Sequence, residues 1–198
     1  MRLGFDIDEV IADLTSVMED YIRNNYGVEW PKECFLNYGF NKCRFHADEE
    51  LNNRITEDML SLVDDASFQA SAEPVSDAVE VLQKLKRSGH KLFLISSRPK
   101  QNQPKTFRWL RNHEIPFDEL VLMGHNTEKG FLGRRFNLDM YVDDLPKHLE
   151  SMYRFKKNWR KSLLLFDRPW NIDPVDSTKY KRVYNWQEIL RHVGIQNR

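Results

Sequence analysis

After residue 74 the chain alternates between short apolar runs and amphipathic segments, and this alternation restricts the possible folds more than any other feature. Four apolar runs of strand length recur there: HKLFLISS, DELVLMG, LDMYVDD and KSLLLFD. The segments between them have the spacing of helices, as in SDAVEVLQKLKRSG. Strands that are apolar along their whole length are buried on both faces. The pattern therefore predicts an α/β fold, a doubly wound parallel sheet with helices on both sides.

The first 74 residues contain one more strand, followed by a region of different character. RLGFDID is predicted to be a short buried strand that ends at two carboxylates, and DLTSVMEDYIRNNYG continues with helical spacing as far as Gly27. From about residue 28 to residue 73, aromatic residues lie among polar ones and no clear buried strand occurs. We predict a core domain of residues 1–14 and 75–198, with a small helical cap of residues 15–74 inserted after the first strand.

The overall charge and the cysteine content exclude several classes of protein. Lys+Arg and Asp+Glu both number 30, so the net charge of zero gives no general attraction to nucleic acid or to an anionic membrane. No apolar run approaches the ~20 residues of a transmembrane helix. Cys34 and Cys43 could form one disulfide, but two cysteines make no framework. We expect a cytoplasmic protein with reduced thiols; its oligomeric state is left open.

Three of the predicted strands end in polar pairs, which are Asp6 and Asp8, Ser96 and Ser97, and Asp143 and Asp144. In open parallel sheets, ligands bind in a crevice at the carboxyl ends of the strands. If the three strands are neighbours, four carboxylates share that crevice and repel one another unless a cation lies between them. Because Mg²⁺ prefers oxygen ligands and binds through a few carboxylates together with substrate phosphate, it is the expected cofactor.

The same residue types can carry out phosphoryl transfer. A carboxylate beside a metal-bound phosphate can attack phosphorus and form an aspartyl-phosphate. A second carboxylate two residues further on can protonate the leaving oxygen and later activate water. A hydroxyl group, a lysine and Mg²⁺ can stabilise the charge that develops on the transferred group. The pattern therefore favours a small phosphomonoester as substrate.

Four segments resemble, in order, the four motifs of the haloacid dehalogenase-like (HAD) phosphohydrolases: FDIDEVIAD, LFLISSRP, the lysine of EKGFLGRRFNLD, and MYVDD. Together they span residues 6–144. The resemblance implies a Rossmann-like sheet of the HAD type. It also implies a Mg²⁺-dependent phosphatase that uses an aspartyl-phosphate intermediate.

The resemblance also assigns roles to residues. It implies that Asp6 is the nucleophile, Asp8 the acid and base, and that Ser96 and Lys129 bind the phosphoryl group and are catalytic. It implies a Mg²⁺ site made by Asp6, the backbone carbonyl of Asp8, and an acidic pair in which we expect Asp143 to be the direct ligand and Asp144 to support it.

Within the superfamily, DIDEVIAD with ISSRP is most similar to the 5'(3')-deoxyribonucleotidase-like branch. That branch carries a small helical cap between the first strand and the second motif, and the interval here is 96 − 6 = 90 residues. The resemblance implies a nucleoside monophosphate as substrate. Glu9 is a departure, since Gly is common at that position, and its long acidic side chain beside the metal could alter substrate preference.

Several assignments have alternatives. Ser97 competes with Ser96 as the phosphate donor, and Ser96 is preferred because it directly ends the apolar run. Lys105 competes with Lys129 but lies inside an amphipathic helix, where we expect it to be solvated. Arg98 either binds substrate phosphate or pairs with a surface carboxylate. Asp13 is expected to satisfy amides at the start of a helix rather than to bind metal.

The positions of several further residues in the sequence also indicate their roles. His125 is expected to be an ordinary loop residue. The aromatic residues of the cap form either its core or a base-stacking pocket; they are Trp30, Phe35, Tyr38 and Phe40. The segment FDRPWN, residues 166–171, either lines the far side of the crevice or forms a plain turn. Alternative functions are phosphatases of other small metabolites or of nucleic-acid ends, and a non-catalytic binding module.

Overall fold

The computed structural model describes residues 1–31, 34, 43–125, 127–155, 162–172 and 178–194. The strands in this part of the chain are β1 Arg2–Phe5, β2 Ala12–Asp13, β3 Glu73–Pro74, β4 Lys91–Ser96, β5 Glu119–Leu122, β6 Met140–Asp143, β7 Leu163–Phe166 and β8 Lys181–Val183. The α-helices are α1 Leu14–Tyr26, α2 Glu49–Leu62, α3 Ala66–Gln69, α4 Ala78–Arg87, α5 Gln103–Asn112, α6 Gly130–Arg135, α7 Pro146–Phe155 and α8 Trp186–Val193.

Six strands form one sheet in the order β5-β4-β1-β6-β7-β8. Every neighbouring pair in it is parallel. The strands β6 and β7 are buried along their whole length, as their uninterrupted apolar sequences predicted. The predicted α/β class is therefore confirmed, and β1 lies at the centre of the sheet between β4 and β6.

Helices cover both faces of this sheet. Alternate residues of β7 enter two different hydrophobic clusters, because successive side chains of a strand point to opposite faces. Leu164 and Phe166 join a cluster with residues of α4, α5 and α8, whereas Leu163 and Leu165 join a cluster with residues of α6 and α7. This is the doubly wound arrangement predicted from the sequence.

A small antiparallel pair, β2 with β3, marks where the chain leaves the sheet and returns to it. Between these strands lie α1, α2 and α3, so the helical region follows β1 as expected. Asp13 is the N-cap of α1 and accepts a hydrogen bond from the Ser16 amide at 3.2 Å, and Gly27 ends the helix with φ 64°. Two-residue strands leave no periodicity, so the sequence did not predict β2 and β3. The division at residues 14 and 75 stays a prediction.

Neither length nor hydropathy qualifies any of the helices α1–α8 as a membrane-spanning segment. Cys34 and Cys43 are both buried, and their reduced state stays a prediction.

Candidate active site

The carboxyl ends of three neighbouring strands bring the predicted polar residues together. Asp6 follows β1, Ser96 ends β4 and Asp143 ends β6, and the sheet order places β1 between the other two strands. The Asp6 amide donates to the Val142 carbonyl at 2.9 Å, which continues the sheet pairing up to the first carboxylate. The juxtaposition expected from the sequence thus follows from the strand order.

Lys129 lies within a cluster of buried acids. Its Nζ is 2.9 Å from Asp6 Oδ2 and 2.9 Å from Asp143 Oδ2, and the lysine side chain is fully buried. Asp6, Asp143 and Asp144 are also buried, and each has an oxygen within 4.8 Å of the others. Lys105, the alternative considered above, is exposed and donates to Ser67 Oγ. The structure therefore brings Lys129, and not Lys105, to the carboxylates.

The position of Lys129 depends on the close approach of α6 to α7. Lys129 immediately precedes α6, and the next residue is Gly130. A Cβ atom at Gly130 would lie 2.3 Å from the Ser151 carbonyl oxygen and 2.6 Å from the ring of Phe155, so only glycine fits here. The Gly130 amide also donates to Ser151 Oγ at 3.0 Å. These contacts anchor the start of α6 and hold the lysine in place.

The four charged groups alter one another's protonation. Burial raises the pKa of Asp6 to about 7, although Lys129 opposes the change. Burial, together with the charges of Asp143 and Asp6, raises the pKa of Asp144 well above its ordinary value. Burial acts in the same direction on Asp143, but there the charges of Lys129 and His148 and the hydrogen bonds from Lys129 and the Leu145 amide together outweigh it, and the pKa is lowered. Burial alone would lower the pKa of Lys129, but the adjacent carboxylates raise it instead. With all three acids ionised, the cluster would carry more negative charge than Lys129 balances, and the raised pKa values of Asp6 and Asp144 reflect this together with burial.

The two members of the acidic pair have different surroundings. Asp143 Oδ2 accepts from Lys129 and from the Tyr141 hydroxyl at 2.8 Å, and Asp143 Oδ1 accepts from the Leu145 amide at 2.9 Å. Asp144 Oδ2 accepts from the indole N–H of Trp170 at 2.8 Å. Asp143 is therefore held by several donors of the protein, and Asp144 by one indole.

Asp8 is oriented by Arg98. Arg98 Nη2 donates to Asp8 Oδ1 at 2.7 Å, and its Nε lies 3.1 Å from both carboxylate oxygens. Arg98 Nη1 donates to Thr106 Oγ1 at 3.2 Å, and the arginine is almost fully buried. Arg98 thus pairs with a carboxylate of the site, Asp8, rather than with a surface carboxylate, and its binding of substrate phosphate stays a prediction.

The two adjacent serines at the end of β4, Ser96 and Ser97, differ in burial and in their contacts. Ser96 Oγ accepts from the Arg98 amide at 3.0 Å and lies 3.4 Å from Asp8 Oδ2, and its residue is fully buried. Ser97 is partly exposed and lines the cavity described below. The Ser96 hydroxyl is thus used within the turn, and Ser97 is the serine on the cavity wall.

Glu9 has a left-handed backbone conformation, with φ 62°, which explains why glycine suits this position in similar sequences. Its Oε1 accepts from the Thr15 amide at 2.7 Å and from the Thr15 hydroxyl at 2.9 Å, and its Oε2 lies 3.4 Å from Arg168 Nε. Burial raises the pKa of Glu9 to about 7, although Arg168 opposes it. Glu9 therefore links the start of α1 to the loop after β7.

A cavity of about 290 Å³ lies against these residues. Its polar wall includes Asp6, Asp8, Glu9, Ser97, Arg98 and Asp144. Its apolar wall includes residues of the helical region: Leu14, Met18, Trp30, Leu60 and Val63. Of the predicted cap aromatics, Trp30 lines the cavity and meets Phe45 edge to face at 5.6 Å. Phe35, Tyr38 and Phe40 lie outside the described residues.

Contacts across the mouth of the cavity join the helical region to the sheet domain. His125 Nε2 lies 2.7 Å from Asp64 Oδ1, and both residues line the cavity. Asn102 Nδ2 donates to the Asp64 carbonyl at 2.8 Å and to Gln69 Oε1 at 3.0 Å. His125, expected to be an ordinary loop residue, is thus in hydrogen-bond contact with Asp64 at the cavity.

Two residues at the cavity were not singled out individually from the sequence. Trp170, within the FDRPWN segment, contacts Asp144, so this segment lines the crevice rather than forming only a turn. His148 lines the cavity from α7, and burial lowers its pKa to about 4. The position of FDRPWN directly after a predicted strand was the sequence signal for Trp170; a single histidine on an amphipathic helix gave none for His148.

The fold is shared with proteins of the HAD class. A HAD family hydrolase from Deinococcus radiodurans, solved with phosphate and sodium, matches with a TM-score of 0.65 at 11% identity, over 100% of this chain and 98% of that one. The YfnB protein of Bacillus subtilis, solved bound to magnesium, matches with a TM-score of 0.63 at 12% identity, over 98% of each chain. The fold is therefore of the HAD type, with its helical cap region after β1.

Comparison of the sequence with protein families gives a more specific result than comparison of the fold. The model of the family described as "5' nucleotidase, deoxy (Pyrimidine), cytosolic type C protein" matches residues 1–197, and the chain belongs to this family. A protein of Oceanobacillus iheyensis named "Putative nucleotidase OB0422" is 28% identical over 196 residues, which cover 97% of this chain and 98% of that protein. A Bacillus cereus protein with a similar name is 24% identical over 193 residues, 96% of each chain.

Proposed function

We propose that this protein is a Mg²⁺-dependent phosphatase that hydrolyses nucleoside or deoxynucleoside monophosphates through an aspartyl-phosphate on Asp6. The observation that carries the proposal is the buried cluster of Asp6, Asp143 and Asp144 around Lys129 at the carboxyl ends of the central strands. Membership of a nucleotidase family and the names of the relatives support the choice of substrate.

The charges of the cluster fit a divalent cation. Three carboxylates and one ammonium group leave a surplus of 3 − 1 = 2 negative charges. Without a cation this surplus is reduced by protonation, which is the physical meaning of the raised pKa values of Asp6 and Asp144. Mg²⁺ would take the place of those protons, polarise the phosphate and neutralise its charge.

We infer that Asp6 and Asp144, with the backbone carbonyl of Asp8, would hold the cation. Asp143 already accepts three hydrogen bonds from the protein, one of them from Lys129, so its carboxylate is better placed to hold the lysine. This assignment reverses the order expected from the sequence, in which Asp143 was the direct ligand. The YfnB structure bound to magnesium has the same fold, which supports the choice of metal.

In the proposed reaction Asp6 supplies the nucleophilic oxygen. Its Oδ1 accepts from the Ile7 amide at 2.8 Å and its Oδ2 lies beside Lys129, so the carboxylate has a fixed orientation. Attack forms an oxygen–phosphorus bond and breaks the ester bond, and the leaving oxygen takes a proton from Asp8. Water then attacks phosphorus, gives a proton to Asp8 and releases phosphate and free Asp6.

Lys129 and Ser97 are assigned to the phosphoryl group, and Asp8 to proton transfer. Lys129 places a positive charge beside the nucleophile, where negative charge accumulates during transfer. Ser97 offers a hydroxyl on the cavity wall, while Ser96 supports the turn that carries it. Arg98 fixes the direction of the Asp8 carboxylate, and its contribution to substrate binding is through that carboxylate.

The apolar half of the cavity is assigned to the leaving group. Met18 and Trp30 lie on the wall that the helical region contributes. Apolar and aromatic side chains favour a flat, weakly polar group such as a nucleobase, and their burial would exclude bulk water from the reacting phosphate. The cap would thus select among phosphomonoesters, while the sheet domain would act on the phosphate that all of them share.

A panel of phosphomonoesters, assayed with and without Mg²⁺, tests the proposal. It should include nucleoside monophosphates, sugar phosphates, an aryl phosphate and 5'-phosphorylated oligonucleotides. We expect Mg²⁺-dependent release of phosphate, fastest from nucleoside monophosphates, and its loss in Asp6→Asn. Asp13→Asn is the matched control, because asparagine is an equally good N-cap and Asp13 caps α1. Turnover by Asp6→Asn at the wild-type rate would contradict the nucleophile, and a preference for another substrate would contradict the nucleotide.

A further inference from the structure

The loop that follows β7 contacts Asp144, the second member of the acidic pair, through two residues. Trp170 Nε1 donates to Asp144 Oδ2 at 2.8 Å, and Asn171 Nδ2 donates to the Asp144 backbone carbonyl at 2.7 Å. The same loop therefore holds both the side chain and the main chain of Asp144. None of the four motifs quoted above includes these two residues.

The loop is itself held in place by the edge of the sheet. Asn171 Nδ2 also donates to the Phe166 carbonyl at 2.9 Å, which ties the end of β7 to Asp144. Arg182 of β8 donates from Nη1 to Asn171 Oδ1 and from Nη2 to the Asn171 carbonyl, both at 2.6 Å. Asn171 is buried, with 3% of its surface exposed. The position of Trp170 is thus set by neighbours on β7 and β8.

An indole is well suited to orient a carboxylate without competing for a cation. Its N–H only donates, so it cannot become a metal ligand. Within the described part of the chain, the Trp170 bond is the one hydrogen bond to the Asp144 carboxylate that the structure contains, and it engages a single oxygen. One carboxylate oxygen of Asp144 lies within 4.8 Å of oxygens of Asp6 and Asp143, and the single indole hydrogen bond leaves the carboxylate able to bind a cation.

We propose that Trp170 is a positioning residue that fixes the Asp144 carboxylate for binding the cation. The inference rests on the Mg²⁺ site of the proposed function and extends that site to the loop after β7. Trp170 acts through Asp144 and has no assigned contact with the reacting phosphate. Residues that orient metal ligands in this way typically contribute about 10–100-fold to metal affinity or activity.

The test is the affinity for Mg²⁺ alone, without substrate. Thermal denaturation in increasing MgCl₂ gives the concentration at which each variant gains half of its stabilisation, measured from its own metal-free melting temperature. For Trp170→Phe, which keeps an aromatic ring and loses the N–H, we expect this concentration to rise about 10–100-fold. Trp109→Phe is the matched control, because Trp109 donates to the Ala72 carbonyl at 2.7 Å and touches no carboxylate of the cluster.

The outcomes separate this inference from the proposed function. A wild-type protein that gains no stability from Mg²⁺ would overturn the metal site and the inference together. A wild-type protein that responds, with Trp170→Phe responding at the same concentration, would overturn the inference alone. If Trp170→Phe does not fold, an NMR titration of the wild-type protein with Mg²⁺ tests the inference through the indole N–H signals of Trp170 and Trp109. We expect the Trp170 signal to shift and the Trp109 signal to stay. A Trp170 signal that does not shift would refute the proposal.

Discussion

Replacing Lys129 with methionine should destabilise the protein more than any substitution of an exposed charge. Lys129 is fully buried and lies 2.9 Å from an oxygen of Asp6 and 2.9 Å from an oxygen of Asp143. Methionine fills nearly the same volume, so the change removes the positive charge without opening a large cavity. What remains is a group of buried carboxylates without the positive charge of the lysine.

The size of the effect follows from that arrangement. Removing one partner of a buried ion pair costs about 3–5 kcal/mol, because the other charge is left buried and uncompensated. Lys129 has two such partners, which places the loss of unfolding free energy at the upper end of this range. For a chain of this length each kcal/mol lowers the melting temperature by about 2–4 °C, so a loss of about 5 kcal/mol corresponds to a fall of about 10–20 °C.

Chemical denaturation of the metal-free protein at pH 8 measures this change, and Lys105→Met is the matched control on the exposed surface. Because burial raises the pKa of Asp6 to about 7, that acid holds a proton at pH 5 and the loss from Lys129→Met should be smaller there. A loss below about 1 kcal/mol at pH 8, the level of a surface ion pair, would refute the reasoning. Phosphatase activity should fall about 10²–10³-fold, whereas Lys105→Met should leave it unchanged.

Three more comparisons between variants test individual contacts. Ser97→Ala should raise KM for phosphomonoesters, and Ser96→Ala should mainly lower the unfolding free energy by about 1 kcal/mol; steady-state kinetics and denaturation that show the reverse would contradict these roles. Asp144→Asn should weaken Mg²⁺ binding more than Asp143→Asn in thermal titrations, and equal curves would contradict the order. For Glu9, the pKa in the folded protein is about 7 and the ordinary value is 4.5, so the folded state binds more protons between these pH values. The wild type should therefore lose stability relative to Glu9→Gln as pH rises from about 4.5 to 7, by up to about 3 kcal/mol, and a difference that stays constant across a pH series of urea titrations would contradict this.

The sequence was sufficient to predict which strands carry the polar residues, and the sheet order then brings them together. Asp6, Ser96 and Asp143 each end an apolar run, and the carboxyl ends of parallel strands share one edge of a sheet. Lys129 was predicted instead from the resemblance to the third motif of the HAD phosphohydrolases. The prediction that the strand ends meet depends on local patterns and on a general rule of α/β folds, so it needed no knowledge of any particular contact.

The sequence pattern could not predict which member of each polar pair has which contacts. Ser96 and Ser97 are adjacent and chemically identical, and only the hydrogen bond from the Arg98 amide shows which hydroxyl serves the turn. The pairing of Arg98 with Asp8 joins residues 90 positions apart. Contacts of this kind depend on side-chain rotamers and on long-range packing, and no periodicity in the sequence reports them.

The surplus of negative charge at the site links the proposed binding of a cation to the stability of the folded protein. Asp6 and Asp144, the proposed ligands of the cation, lie close to each other and to Asp143, and burial of these charges is unfavourable without a cation. Binding then stabilises the folded state through mass action, by about 2.7 kcal/mol at a hundredfold excess over the dissociation constant. The permanent charge of Lys129 lowers the cost of the metal-free state, and the loop that carries Trp170 fixes one of the acids before the cation arrives. The fold thus keeps the acids close together, and the negative charge that they would carry when ionised would favour the divalent cation of the proposed site.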